Sequence, residues 1–192
     1  MSQWRALSQE EVTCLEAQGC TCTDWARVQV AQRFRPERVW RTHFSGEIRL
    51  GTFEKDVRFF GGATKPTGIS NASIHNCSIG NNVYISQVRN YIANYVIDED
   101  AVIDNIDVLA VEGESSFGNG TEVSVVNEAG GREIPIYDRL SAHTAYIIAF
   151  YRHRAAAIER LKEMIDDYTA SVRSTMGFVG REARILNSCI LK

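Results

Sequence analysis

The fold is decided by residues 79–108, which read IGNNVY, ISQVRN, YIANYV, IDEDAV and IDNIDV in consecutive blocks of six. Four of the five blocks open on isoleucine followed by a small or acidic residue. The third block opens on Tyr91, where the neighbouring Ile92 is the alternative aliphatic position. A period of six matches neither the 3.6 residues of an α-helix nor the two-residue alternation of a flat strand. The pattern indicates a chain that turns a corner at every sixth residue.

Three such faces close one turn of eighteen residues, so residues eighteen apart are expected to stack. This places Ile97 above Ile79, Ile103 above Ile85 and Ala101 above Val83. Successive turns should then lie about 4.8 Å apart, which is the spacing between hydrogen-bonded strands. Hexapeptide repeats of this kind are typical of parallel β-helices. Upstream, Ile69, Ile74 and Ile79 are only five residues apart, so we expect the register to slip there.

The six-residue blocks resemble the left-handed parallel β-helix of hexapeptide-repeat proteins. That superfamily includes many acyltransferases and the C-terminal halves of sugar-nucleotide pyrophosphorylases. The chain also resembles an uncharacterised bacterial family of the DUF4954 type, whose members are sometimes labelled as related to UDP-N-acetylglucosamine pyrophosphorylase. This second resemblance rests on residues 19–20, 24–25, 44–46, 137–142 and 151–154. It implies that the chain is the N-terminal portion of a longer bacterial protein, truncated near residue 192.

The predicted fold class is mainly β with α: a left-handed parallel β-helix with an N-terminal cap, an inserted hairpin and one long α-helix. In the cap, the Ser8-x-x-Glu11 capping box predicts a helix over residues 9–18. Ile185 and Leu191, six apart, mark a return to the repeat. The predicted regions are the N-terminal cap (1–68), β-helix turns (69–111), a loop and β-hairpin (112–136), the long helix (137–176) and the return to the β-helix (177–192).

The long helix is predicted from a heptad seam that begins at Ile147 and ends at Val172, with Arg154 in one apolar position. The run Ala155–Ala157 and the lack of internal glycine or proline favour one continuous helix of about 35 residues, roughly 50 Å long. Such a helix could lie along the flank of the β-helix or pair with its own copy. We therefore expect a homo-oligomer formed through the β-helix flank or the long helix.

Composition excludes several classes of function. The 192 residues carry a formal charge of −3, which argues against duplex nucleic acid and anionic membranes as partners. No apolar run approaches the ~20 residues of a membrane helix, and no secretory signal is recognisable. Five cysteines without such a signal argue against a disulfide framework. We expect a cytoplasmic protein.

His75 is the candidate catalytic residue, because hexapeptide acyltransferases typically use one histidine as general base and His75 lies in a repeat block, residues 74–78. Its alternative role is a solvated residue on the β-helix surface. The run Arg152-His153-Arg154 is a candidate ligand-binding cluster for a carboxylate or phosphate, with salt bridges to Glu159 or Glu163 as the alternative. His43 has no neighbour that distinguishes it, and His143 lies on the predicted helix.

Metal and phosphate-loop chemistry are not expected. Acidic residues cluster at 98, 100, 104 and 107, but acids at outward positions of the repeat commonly serve solubility, so no metal site is predicted. Residues 61–68 are rich in glycine, yet lack the order of a phosphate-binding loop and include Pro66. They are interpreted as an ordinary loop.

The functional hypothesis is the β-helix portion of a sugar-nucleotide-linked transferase of the hexapeptide-repeat class. The cofactor is unknown, with acyl-CoA or a sugar nucleotide expected if the chain is an enzyme. Pyrophosphorylases carry a glycine-rich loop that opens a βαβ unit, and that arrangement is missing here. We therefore do not expect nucleotidyl transfer by this chain alone. The alternative is a non-catalytic scaffold for oligomerisation, favoured by the heptad seam.

Overall fold

The computed structural model of the chain describes residues 4–59, 61–124, 131, 133–188 and 190–191. It is mainly β with some α. The helices are α1 (Gln9–Ala17), α2 (Ala142–Phe150) and α3 (Ala155–Val172), with short 3-10 helices at Trp25–Arg27 and Pro36–Arg38. The strands are β1 (Trp4–Ala6), β2 (Thr21–Cys22), β3 (Val28–Ala31), β4 (Val39–Leu50), β5 (Asp56–Arg58), β6 (Thr64–Pro66), β7 (Gly68–Ile79), β8 (Tyr84–Ala93), β9 (Tyr95–Ile97), β10 (Val102–Ala110), β11 (Thr121–Ser124), β12 (Glu133–Ile136), β13 (Gly177–Val179), β14 (Arg184–Leu186) and β15 (Ile190–Leu191).

The chain divides into two compact units. The first unit comprises Met1–Glu112 and Met176–Lys192, and the second unit comprises Gly113–Thr175. The first unit therefore consists of two segments of the chain, and the second unit is inserted between them. In the described part of the chain, no helix combines the length and the apolar character needed to cross a bilayer.

Parallel strand pairing organises the first unit. Its sheet follows the order β1-β3-β4-β7-β8-β10-β14, and of the neighbours along this path only β1 and β3 are antiparallel. Ile79 pairs with Ile97, and Ile85 pairs with Ile103. The predicted eighteen-residue stacking is therefore confirmed at both positions. The third predicted pair is Ala101 and Val83. Here Tyr84 N donates to Ala101 O (2.9 Å), which brings Ala101 next to the Val83–Tyr84 peptide.

Aliphatic side chains at equivalent positions of successive strands form the core of the first unit. Val39, Ile69, Ile85 and Ile103 follow one another in register on β4, β7, β8 and β10, and all four are buried. The next residue along each strand points outward, as the two-residue alternation of a β-strand requires. Each turn of the chain thus contributes one isoleucine or valine to this column of core residues.

The corners of the chain are made by residues with a positive φ angle, which occur three times in each eighteen residues and lie either within a strand or between two strands. Those of two successive turns are Asn76, Asn82, Gln87, Asn94, Asp100 and Asn105. Asparagine and aspartate adopt this conformation more readily than other side-chain-bearing residues. Corner amides also bond to each other: Asn76 Nδ2 donates to Asn94 Oδ1 (3.3 Å), and Asn105 Nδ2 donates to Asn187 Oδ1 (2.8 Å). The side chains at the corners therefore stack as the core isoleucines do.

The start of the stack differs from our prediction. We placed the first repeat at residue 69, but β4 already pairs in parallel with β7 from Val39 to Leu50, and β3 pairs in parallel with β4. The irregular spacing of apolar residues upstream hid these turns. The predicted slip near Ile69–Ile74 is confirmed, since the β7–β8 register shifts between Ser70 and Ile74.

Two local predictions concern the ends of the first unit. The capping box is present: Glu11 N donates to Ser8 Oγ (3.2 Å), and Ser8 N donates to Glu11 Oε2 (2.8 Å). After the inserted unit, Val179 pairs with Ile97, and Ile185 pairs with Ile103. The segment after the inserted unit therefore joins the parallel sheet of the first unit.

The second unit joins a hairpin to two helices. Strands β11 and β12 pair antiparallel, as predicted, while residues 125–130 and 132 of the connecting loop lie outside the described residues. The prediction of one continuous helix is wrong, because α2 ends at Phe150 and α3 begins at Ala155. The side chain of Arg152 accounts for the break. It donates to Ile148 O at the end of α2 (3.1 Å) and to Glu133 O on β12 (2.7 Å).

Because the helix is broken, some residues of the heptad seam are buried and others are exposed. Ile158 and Ile165 on α3 are buried, and Ile165 packs in one cluster with Ile134 and Ile148. Ile147 and Tyr151, at the start of the seam, are exposed. The seam thus serves mainly to fold the second unit on itself.

Candidate functional site

His75, the predicted catalytic residue, lies on β7 with an exposed side chain. Its backbone pairs with Ser45 on one side and Ala93 on the other. Ser45 Oγ and His75 Nδ1 are 2.9 Å apart, within hydrogen-bonding distance. This contact orients the ring and leaves Nε2 as the nitrogen available for proton transfer.

Two other residues, His43 and Cys77, bear on the assignment of His75. His43 lies on β4 with Nδ1 2.9 Å from Thr21 Oγ1, so both histidines have the same kind of hydroxyl partner. Cys77 is buried, and its Sγ donates to His75 O (3.1 Å). Burial raises the pKa of the Cys77 thiol to about 11, so it remains protonated near neutral pH. Cys77 and His75 therefore do not form a thiolate–imidazolium pair.

The predicted cluster Arg152-His153-Arg154 is not assembled as one anion site. The Arg152 guanidinium is held by two backbone carbonyls, one at the end of α2 and one on β12. His153 stacks on Tyr151, with ring centroids 5.7 Å apart. Arg154 is exposed and occupies the N-cap position of α3. Arg152 thus has a structural role, which spacing along the sequence did not reveal.

Two of the four acidic residues of the repeat, Asp100 and Asp104, lie beside cations. Asp100 accepts from Lys55 Nζ at 2.9 Å, and Arg181 lies 3.8 Å from the same carboxylate. Across the described ranges, no group of three or more histidine, cysteine, aspartate or glutamate side chains could hold a metal ion. These acids contribute to ion pairs on the surface.

A cleft that we did not predict lies beside the hairpin of β5 and β6. Thr67 N and Oγ1 both donate to Lys55 O (3.0 and 2.7 Å), which closes the base of the hairpin. Near its tip, the Phe59 ring meets the Tyr84 ring edge-on, with centroids 5.1 Å apart. The hairpin is thereby fixed over the outward surface of β7 and β8. The cleft beside it has a volume of about 460 Å³.

Trp40 is the most exposed aromatic side chain of this cleft. It lines the cleft together with Glu37, Arg38, Lys65, Ser70 and Tyr84. The indole is 53% exposed, yet Nε1 donates to Glu37 O (2.7 Å), which fixes its orientation. Trp40 pairs in register with Ser70, and Ser70 Oγ donates to Ser86 Oγ (3.0 Å). An aromatic ring therefore stands next to a row of hydroxyl groups.

Both cations of the cleft have acidic neighbours. Lys65 Nζ donates to Tyr84 Oη (3.1 Å), and this hydrogen bond is the main cause that raises the pKa of Lys65. The same nitrogen lies 3.9 Å from the Asp104 carboxylate. Arg38 lies 4.0 Å from Asp56. The cleft thus offers hydrogen-bond donors and acceptors with little net charge.

Comparison with known proteins places the chain in a family. The family model described as "Domain of unknown function (DUF4954)" matches residues 4–192. The chain belongs to this family. It is also 28% identical over 200 residues to an "Uncharacterized protein" of Treponema pallidum (strain Nichols), a match that covers 98% of this chain and 28% of that protein. No solved structure matches the chain.

The DUF4954 chain thus spans just over a quarter of the length of its curated relative. Its sequence signalled His75 but not the cleft. Residues 61–68, interpreted as an ordinary loop, include strand β6 and Lys65 of the hairpin. Trp40 follows the inward Val39 in a strand, and this alternation could have marked it as an outward aromatic residue. The spacing of residues along the sequence did not indicate that the hairpin lies next to Trp40.

Proposed function

We propose that the first unit of this DUF4954 chain is a left-handed parallel β-helix. The support is the pairing of residues eighteen apart, the three positive-φ corners in each eighteen residues and the column of buried isoleucines. Six residues per face is the period of the hexapeptide-repeat class. The left-handed sense follows from the resemblance of the six-residue blocks to that class.

We further propose that the chain is the β-helix portion of a sugar-nucleotide-linked transferase, with His75 as its general base. The observation that supports this role is the 2.9 Å contact between Ser45 Oγ and His75 Nδ1. The proposal uses the tautomer in which His75 Nδ1 carries the ring proton and donates it to Ser45 Oγ, because Nε2 then has a free lone pair that can accept a proton. Histidine suits proton transfer because its ordinary pKa lies near neutral pH.

The proposed reaction is acyl transfer from acyl-CoA to a hydroxyl or amine of a sugar nucleotide. His75 Nε2 takes the proton of the acceptor as its oxygen or nitrogen forms a bond to the acyl carbonyl carbon. The carbon–sulfur bond then breaks, and the imidazolium returns the proton to the departing thiolate. A cytoplasmic location is part of this proposal, and the free thiols of Cys14, Cys20, Cys22 and Cys77 are compatible with it.

Replacement of His75 is the test of this function. With acetyl-CoA as donor and a panel of UDP- and GDP-sugars as acceptors, release of free CoA is followed by a thiol-reactive dye. We expect His75→Ala to lower the rate by about 10²-fold or more, the usual contribution of a general base. His43→Ala is the matched control, because His43 has the same hydroxyl contact, and its rate should be unchanged.

Equal rates for His75→Ala and the wild-type chain would contradict the assignment of the base. Absence of CoA release with every acceptor, in the chain and in the longer protein that contains it, would reject acyl transfer. Either outcome leaves the β-helix proposal to be judged by the stability variants described in the Discussion.

A scaffold that assembles through the second unit is the second candidate. An aromatic patch on α2 favours it: Tyr146, Ile147, Phe150 and Tyr151 are all exposed, and the rings of Tyr146 and Phe150 have centroids 4.9 Å apart. Contiguous exposed apolar surface of this kind marks protein interfaces. Its proposed occupant is the same patch of a second copy, since a patch that meets itself forms a closed two-fold interface.

The scaffold predicts a concentration-dependent oligomer. The double variant Tyr146→Ser/Phe150→Ser should shift it to monomer in sedimentation analysis, because it removes two apolar rings from the contact. Met164→Ser on α3 is the control, since Met164 is exposed outside this patch. A wild-type chain that remains monomeric at high concentration would contradict this candidate.

A further inference from the structure

We propose that the cleft between the β5–β6 hairpin and the outward surface of β4 and β7 binds a neutral sugar ring. This site is separate from His75, which does not line the cleft. Ser70 and His75 lie on either side of the positive-φ corner at Asn71, so they belong to different faces of β7. The proposal therefore does not depend on catalysis by His75.

The shape and preorganisation of the cleft suit a small ligand. Its volume of about 460 Å³ falls within the range of small-molecule sites and leaves room for one hexose with a substituent. The Trp40 indole is exposed but already held by its hydrogen bond to Glu37 O. The ordering of side chains is one of the free-energy costs of association, and binding on this ring requires little further ordering.

The Trp40 indole supplies an aromatic surface for a sugar ring. The face of an indole carries partial negative charge, so it attracts the weakly positive C–H hydrogens on the apolar face of a sugar ring. The Tyr84 ring does not compete for this role, because Phe59 and Lys65 Nζ already lie against it. Trp40 is the available stacking surface in the cleft.

The polar groups of the cleft suit the hydroxyl groups of a sugar. Each sugar hydroxyl both donates and accepts hydrogen bonds, so it needs partners of both kinds. Ser70 Oγ donates its proton to Ser86 Oγ and can accept a further hydrogen bond. A glutamate and an arginine, Glu37 and Arg38, also line the cleft, and these residue types accept and donate respectively. Alternating donors and acceptors of this kind suit a polyol.

The balance of charge in the cleft argues against a phosphate group as the primary ligand. Phosphate is bound most strongly by charge-assisted hydrogen bonds, often to a bidentate arginine, and nearby carboxylates reduce the positive charge that attracts it. Here Lys65 lies 3.9 Å from Asp104, and Arg38 lies 4.0 Å from Asp56. Glu37 adds a further negative charge to the lining of the cleft. A neutral ligand is therefore favoured over a nucleotide.

Binding is tested directly, without donor or turnover. N-acetylglucosamine, glucose and uridine monophosphate are titrated separately into the chain, with saturation-transfer NMR to detect contact and calorimetry to give the affinity. We expect at least one of the two sugars to bind. Trp40→Ala should weaken that binding roughly tenfold, the effect of losing one stacked aromatic contact. Ser70→Ala should weaken it by a smaller factor.

Phe178→Ala is the matched control, because Phe178 is an aromatic residue 67% exposed on β13, outside the cleft. It should leave sugar affinity unchanged. Binding of uridine monophosphate alone, with the same dependence on Trp40, would overturn the sugar assignment in favour of a nucleotide. Absence of binding by all three probes, or sugar binding that Trp40→Ala leaves intact, would overturn the site. None of these outcomes depends on the activity assay for His75.

Discussion

Replacement of Ile97 by aspartate is expected to prevent the first unit from folding. Ile97 is 1% exposed and pairs with Ile79 on one side and Val179 on the other. The variant loses about 2–3 kcal/mol of apolar transfer free energy and buries a carboxyl group without a partner, which costs several kcal/mol more. The sum is comparable with the whole stability of an ordinary domain, about 5–15 kcal/mol.

Val96→Asp is the control for this variant, because Val96 is the adjacent residue, points outward and is 37% exposed. Circular dichroism and urea unfolding would compare the two. We expect the cooperative transition to disappear in Ile97→Asp and the midpoint to move little in Val96→Asp. Similar losses in both variants would contradict the alternation of inward and outward residues on which the proposed β-helix depends.

Gly68→Ala is expected to destabilise the first unit by about 3 kcal/mol or more. A Cβ at this position would lie 2.1 Å from Arg38 O, and the backbone φ is +144°. The contact is with backbone, so the strand and the 3-10 helix at Pro36–Arg38 must separate to relieve it. Overpacking costs about 1–3 kcal/mol, and an unfavourable backbone conformation adds a similar amount.

Gly62→Ala separates these two costs. Gly62 also has a positive φ (+85°), but a Cβ added there would come no closer than 4.0 Å to Arg58 Nη2. It should therefore lose only about 1 kcal/mol, the cost of the backbone conformation for alanine. Urea unfolding of both variants gives the comparison. If Gly68→Ala loses no more than Gly62→Ala, the close approach of Arg38 to β7 is not rigid. Gly68 and Arg38 both line the cleft, so Gly68→Ala should also weaken any sugar binding there.

The sequence predicted the repeating part of the fold well, because its regularity is local. Ile79, Ile85, Ile97 and Ile103 are spaced by multiples of six, and the observed pairs follow that spacing. The turns of β3 and β4 were missed because their apolar residues are unevenly spaced. The corners carried a second signal, since asparagine recurs at positions of positive φ such as Asn76 and Asn94.

The break between α2 and α3 could not be predicted from propensity. Nothing in residues 151–154 disfavours a helix strongly, and the alanine run that follows favours one. The helix ends because the Arg152 side chain reaches Glu133 O, nineteen residues earlier in the chain. A contact between residues so far apart in the sequence depends on where the hairpin of β11 and β12 lies. The periodicity of the helix carries no information about that position.

The sequence likewise predicted only part of each candidate site. His75 was identified because it lies within a repeat block, but its orientation by Ser45 depends on pairing between β4 and β7, thirty residues apart. Trp40 and Lys65 were not associated with each other, because the hairpin that brings Lys65 to the cleft is anchored by Tyr84. The parallel stack brings Ser45 next to His75, and the hairpin of β5 and β6 brings Lys65 to the cleft.

By itself, the sequence determined which residues lie inside the first unit and how far apart its stacked residues are. Each face of the chain must bury one aliphatic side chain, and this local requirement recurs every six residues. The six-residue period therefore indicates both the buried positions and the spacing of stacked residues. The tertiary structure decided where the second unit breaks its helix and where the β5–β6 hairpin lies. Those features arise from single contacts between distant residues, and a single contact leaves no period in the sequence.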